Sequence, residues 1–145
     1  MFNVGPQELF VFLIFVSLAI LPAIFYMLTL YRVLSRCAPE SRAMEPGLVW
    51  LLLVPIFNLI WHFVVVSKVA TSLQREFQRR GVAEPVDTGR QLGLAMSILA
   101  CLGIIPIVGI LSALAAMICW ILYWMKIAGL SGRLANLGPV TTATV

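Results

Sequence analysis

Few residues in this 145-residue chain have the chemistry to build a site, and they lie far apart. His62 is the single histidine, four residues after Asn58, so on a helix the two share a face. One imidazole without a second His, a Cys or a buried carboxylate beside it cannot form a zinc centre. What the pair can do is hydrogen-bond. Asn58 can cap a helix restarting at Leu59. His62 can meet a proton, or a lipid or quinone headgroup. Together the two can line a polar path between copies of the chain. Cys37, Cys101 and Cys119 follow no metal or redox spacing, and the last two sit inside apolar runs, where cysteine acts as a small hydrophobe. A Gly-x-Ser-x-Gly nucleophile, paired carboxylates in an apolar segment and a Gly-rich phosphate loop are all missing. The expectation is a protein without catalytic, metal-binding or cofactor-binding residues.

The elements that hold these residues are apolar. Hydrophobic residues make up 61% of the chain and charged ones 11%, against about 25% charged in an average soluble domain. A soluble fold this small could not hide so much apolar surface. The composition therefore predicts an all-α integral membrane protein of one domain. Ten Lys+Arg against six Asp+Glu give a net charge of +4, which suits anionic lipid headgroups. Arg79-Arg80 is the only basic doublet, so nucleic acid is not expected as a partner. No charge falls within an expected membrane core, which argues against proton pumps and ion-coupled carriers.

Leu9 to Tyr31 is an uncharged run long enough to cross a bilayer and too long for the apolar core of a signal peptide. The first helix is therefore expected over 9–36 and to remain in the mature protein, with Tyr31 and Arg32 as interface anchors. Residues 47–66 form a second apolar run broken by Pro55 and Asn58. They either cross as a second span or enter and leave on one side as a re-entrant hairpin. Over 67–80 an apolar stripe of Val69, Leu73 and Phe77 predicts an amphipathic helix at the membrane surface. Phe77, Arg75, Arg79 and Arg80, with His62, are its candidate lipid or partner contacts. Gln91 to Met125 is uncharged for 35 residues, about 52 Å as one helix, so it must turn. The breakers between Gly103 and Gly109, with Pro106 among them, predict a transmembrane hairpin over 91–127. Trp120, Tyr123, Trp124 and Lys126 anchor its far end at the interface. Residues 131–145 read as a mobile tail.

The two breaks echo each other. Pro55-Ile56-Phe57-Asn58 matches Pro106-Ile107-Val108-Gly109, and a Lys-apolar-Ala triplet follows each, at Lys68 and Lys126. If the first break is a turn like the second, all ten basic residues fall on one side, with the N-terminus outside and the C-terminus cytoplasmic. Four full spans would divide them seven to three. Small-residue tracks at Gly93, Ser97 and Ala100, and at Gly109, Ala113 and Ala116, are candidate helix-packing faces.

Trp50, Pro55, Asn58 and Trp61, followed by Trp120, Tyr123, Trp124, Lys126 and Ala128, form a pattern. It resembles small bacterial multi-pass inner-membrane proteins of domain-of-unknown-function families, over about half the chain. That resemblance implies a bacterial inner membrane and no catalytic residues. The expected function is a non-catalytic accessory or scaffolding subunit of a larger membrane assembly, or a small homo-oligomer. The alternative is a small channel or facilitator near Asn58 and His62.

Overall fold

A computed structural model describes residues 5–82, 86–103 and 105–138. The chain is all-helical, with no strand among the described residues. In order come α1 (Pro6–Arg36), a 3₁₀ arm (Pro46–Leu53), α2 (Pro55–Arg79), α3 (Arg90–Leu102) and α4 (Pro106–Asn136). Two helices, α1 and α4, are long and apolar enough to cross a membrane. The 13 residues of α3 reach about 20 Å, short of a hydrocarbon core of roughly 30 Å.

The helices start where their prolines dictate. Val54 and Ile105 precede Pro55 and Pro106 and share φ −82°, with ψ 108° and 118°. A residue before proline is pushed into this extended region. Proline then opens each helix, where no partner is needed for the N–H it lacks. The first turn therefore lies at Val54, ahead of the Pro55–Asn58 stretch expected to make it. Asn58 caps nothing: it sits one turn into α2, and its N–H donates to the Val54 carbonyl at 2.7 Å. Gly109 likewise belongs to α4, not to the second turn. A Cβ there would stand 2.7 Å from the Gly103 carbonyl oxygen, so the missing side chain lets the turn close onto the helix.

The arm before α2 is a 3₁₀ helix of eight residues, about 16 Å long. Its buried residues, Pro46, Val49 and Leu52, recur every third position, the period of such a helix. The arm packs on both α1 and α2, and the Trp61 indole N–H donates to the Leu48 carbonyl at 2.9 Å.

Side-chain bonds fix the register of the long helices. Trp124 donates to Thr29 Oγ1 at 2.9 Å, and Arg36 to the Ser131 carbonyl at 2.6 Å. Both pairs are 95 residues apart, so α1 and α4 run parallel, and Tyr31 comes level with Lys126. Between α2 and α4, Gly93 of α3 has no room for a side chain. An added Cβ would meet Val66 Cγ1 at 2.5 Å and Tyr123 Cε2 at 2.9 Å. That fit buries Tyr123 completely, so it is a core residue and not an interface anchor. Ser97 is buried and bonded to the Gly93 carbonyl, whereas Ala100 and Ala113 are exposed and Ala116 is half-buried, so the small-residue tracks meet only in part.

The charged end departs furthest from expectation. There is no separate helix over 67–80, because α2 runs unbroken from Pro55 to Arg79. Its stripe of Val69, Leu73 and Phe77 is buried within the chain, in one core with Val33, Leu34, Ile127, Leu130 and Leu134. Phe77 is therefore no lipid or partner contact: α1 and α4 extend far enough to cover it, and the Arg133 guanidinium lies 5.7 Å from its ring centre. Nor does Arg80 face headgroups. It donates to Glu76 Oε1 at 2.7 Å, to the Leu134 and Gly138 carbonyls at 2.7 and 2.8 Å, and to the Arg36 carbonyl at 3.2 Å. Glu76 Oε2 accepts the Ala38 N–H at 3.0 Å. These bonds hold Ser131–Asn136 in α4, so the expected tail loses its first six residues to the helix. Residues 139–145 lie outside the described residues.

Two outcomes follow. Gly93→Ala should destabilise the fold by about 1–3 kcal/mol through overpacking, read as a lowered thermal midpoint in nanodiscs. The clasp should also fail in acid. Burial pushes the Glu76 carboxyl up, but the Ala38 N–H, Arg80 and Ser41 together hold it below its ordinary value of 4.5. A carboxyl depressed in the fold contributes fully above its unfolded value and loses that contribution as pH falls through the folded one. Melting midpoints should stay level above about pH 4.5 and fall below it. Asp87, depressed mainly by its hydrogen bond to Lys126, is exposed and adds little, and only below its own ordinary value of 3.8. Glu76→Gln should lose the Glu76 share of that slope.

Candidate functional site

Where α1, the 3₁₀ arm, α2 and α4 converge, three polar side chains meet in an otherwise apolar region. Tyr26 comes from α1, Asn58 and His62 from α2. The Tyr26 hydroxyl and His62 Nε2 are 3.4 Å apart, and their rings are nearly parallel, with centres 6.0 Å apart. Trp120 of α4 meets the Tyr26 ring edge-on at 5.6 Å.

The geometry follows from the turn at Val54. Starting α2 at Pro55 sets Asn58 and His62 one turn apart on the face toward α1. The parallel register of α1 and α4 then brings Tyr26 and Trp120 to the same level. The four residues line a half-open cleft of about 140 Å³ whose remaining walls are Ala23, Met27 and Leu52. A second cavity of about 60 Å³ lies on the α3 side of α2, lined by Met96, Ser97 and Ala100, and shares Asn58 and His62 with the first. Asn58 Oδ1 is buried and accepts no hydrogen bond among the described residues. The Tyr123 hydroxyl, in the core, is the other buried polar atom left unpaired among the described residues. Each such group costs about 1–3 kcal/mol, and Asn58 is the one that borders a cavity.

The remaining sequence-derived candidates are dispersed. Tyr31, Arg32 and Arg75 are exposed. Arg79 pairs with Glu40 at 2.9 Å on the surface, and Lys126 pairs with Asp87. Trp120 and Trp124 are half-buried; Trp124 bonds Thr29 and Trp120 packs edge-on against Tyr26, so both tie α4 to α1. Among the described residues no three His, Cys, Asp or Glu side chains gather as a metal site. Cys37 is buried beside Glu76, and burial first, then that carboxylate, pushes its thiol up to about 12. It is protonated and unreactive at neutral pH.

Tyr26 is the member of the cluster that pattern-reading missed. Its one signal was a phenol in the middle of an uncharged run, where a hydroxyl needs a partner. Glu76 was also passed over, and Arg80 was read as a headgroup or partner contact, although their i, i+4 spacing marks an ion pair.

No protein-family model, curated protein or solved structure matches this chain.

The cluster makes a prediction of its own. Tyr26→Phe removes one partner of a 3.4 Å contact, a length at which hydrogen bonds are weak. It should cost less than about 1 kcal/mol of stability, whereas Trp120→Ala, which removes a half-buried ring from the same cluster, should cost about 2–3 kcal/mol, both read from thermal unfolding in nanodiscs.

Proposed function

We propose that this chain is a multi-pass membrane protein of a bacterial inner membrane, acting as a non-catalytic accessory or assembly subunit. In this reading α1 crosses fully, with its N-terminus outside. The α3–α4 hairpin reaches across from the cytoplasmic side. The 3₁₀ arm and the start of α2 dip in and return to that side, which keeps all ten basic residues cytoplasmic. Exposed Arg32, Arg75 and Arg90 then meet anionic headgroups.

One observation carries the reading. From Pro6 to Leu21, every described side chain of α1 except Val16 is exposed, with Phe10 at 65% and Leu18 at 66%. The outward face of α4 is as bare, with Ile110 at 78% and Leu111 at 75%. Apolar helix with no partner in its own chain is surface for lipid and for the helices of other subunits or a second copy.

A second reading, a small facilitator, draws on the two cavities that share Asn58 and His62. The two differ in what Asn58→Ala does: a facilitator loses flux in proteoliposomes with its assembly intact, and a subunit does not.

Two measurements test the main reading. A cysteine at Asn3, in a background lacking the native cysteines, should label only from outside the cell. Labelling only from the cytoplasm would favour four full spans. Photo-crosslinkers at Phe10, Phe12 and Leu18 should give a discrete protein adduct from one face of α1, matched by a defined stoichiometry in native mass spectra. Lipid adducts alone from every position, with a monomer in the spectra, would overturn the subunit reading.

A further inference from the structure

The cleft between α1, α2 and α4 has a shape and chemistry that select a ligand class. Its size is the first constraint. At about 140 Å³ it matches cavities of roughly 150 Å³ that take up a single benzene ring. Charge is the second. The runs Leu9–Tyr31, Gly47–Val66 and Gln91–Met125 carry no Lys, Arg, Asp or Glu, so an ionic head would lie there without a counter-charge.

Hydrogen-bond direction is the third constraint. Asn58 Oδ1 is a buried acceptor without a donor, so the missing group carries an O–H or N–H. The Tyr26 hydroxyl lies 3.4 Å from His62, loosely enough held to turn and donate to an oxygen entering the cleft. The walls are the fourth. Tyr26, His62 and Trp120 offer ring faces and edges, and Met27 a thioether, all of which pack favourably against an aromatic ring. The exit is the fifth. The cleft is half-open, and exposed Leu21, Leu53 and Val54 flank it on α1 and the turn, so an apolar tail would lie in lipid.

We infer that this cleft binds the head of a membrane-dissolved phenol or quinol: one neutral ring whose hydroxyl donates to Asn58 Oδ1 and accepts from Tyr26. The tail leaves between α1 and the turn at Val54. This goes beyond the subunit reading and shares with it only the placement of the chain in a bilayer.

The probe is tritiated 4-nonylphenol, offered to the full chain in nanodiscs and compared with empty nanodiscs. One saturable site per chain is expected above partitioning into lipid. The methyl ether, 4-nonylanisole, keeps ring and tail but lacks the O–H. It should compete at least tenfold more weakly in the unaltered protein, a comparison that needs no variant to fold. Asn58→Ala should weaken binding about tenfold. Ala23→Phe, which fills the cleft from α1 and leaves the polar groups in place, should abolish it. Absence of saturable excess over empty discs, as expected of a cleft that holds water only, would overturn the inference. So would equal competition by the ether. Co-elution of the chain with the disc scaffold is scored separately. Failure to enter discs would overturn the membrane placement as well, whereas entry without binding would leave that placement standing.

Discussion

Arg80 is the residue on which the charged end of the fold depends. A helix leaves its last carbonyls without intrahelical donors, and those ends need partners wherever water is scarce. The Arg80 guanidinium bonds the Arg36 carbonyl at the end of α1 and the Leu134 and Gly138 carbonyls at the end of α4. Its charge is balanced by Glu76, one turn earlier on the same helix and 1% exposed. Glu76 in turn accepts the first N–H beyond α1, that of Ala38. One i, i+4 pair on α2 thus closes the ends of two other helices. Removing one partner of a buried pair typically costs about 3–5 kcal/mol, because the other charge is stranded. Arg36 on Ser131 and Arg42 on the Leu34 and Cys37 carbonyls repeat the device around it. Several basic residues on this side are therefore structural.

The opposite end obeys a different rule. Below the level of Tyr26, α1 touches little, and α4 is covered mainly on its α3 side. Their backbones need no neighbour there, because an α-helix satisfies its own N–H and C=O groups, and under the proposed membrane placement their apolar surface would lie in hydrocarbon. The 3₁₀ arm is the exception that needs shelter. Its ladder is poorer than an α-helix's, and its ends fall at a turn. It lies between α1 and α2 with Pro46, Val49 and Leu52 buried, and the Trp61 indole supplies a donor to its Leu48 carbonyl. Under the proposed re-entrant placement this cover is what irregular backbone at membrane depth would require.

How much of this was legible follows from which forces are local. The helices, and the break before each of Pro55 and Pro106, are written in short-range terms: apolar runs, and a residue that lacks an N–H and constrains its predecessor. The echo between the two breaks was readable for the same reason, and the backbone repeats it at Val54 and Ile105. What faces what was not readable. An apolar stripe at helical spacing has the same appearance whether lipid or protein covers it, so Phe77 read as a surface contact and proved to be core. An aromatic near a lysine suits a membrane belt, but Tyr123 lies within the bundle because Gly93, thirty residues away in sequence, leaves it room. The end of α4 was missed because its stability comes from donors on α1 and α2, which no local pattern around Ser131 reveals.

The cleft lies where these two regimes meet, which explains how it can carry unpaired polarity. At the charged end most carbonyls left over by the helices meet an arginine; at the bare end the exposed side chains are almost all apolar. Asn58 and His62 stand between, on the first two turns of α2, walled by Tyr26 and Trp120. The turn at Val54 fixes their depth, and the 95-residue register of α1 and α4 fixes what opposes them. Neither element needs the polar residues for its own stability: Val54 caps α2 without them, and the register is held by Thr29, Trp124, Arg36 and Ser131. His62 still answers the buried Tyr26 hydroxyl 3.4 Å away, whereas the Asn58 acceptor answers nothing among the described residues. The Asn58 amide is thus held in a cleft by elements that do not depend on it, with an acceptor that the fold's own hydrogen bonds leave unpaired.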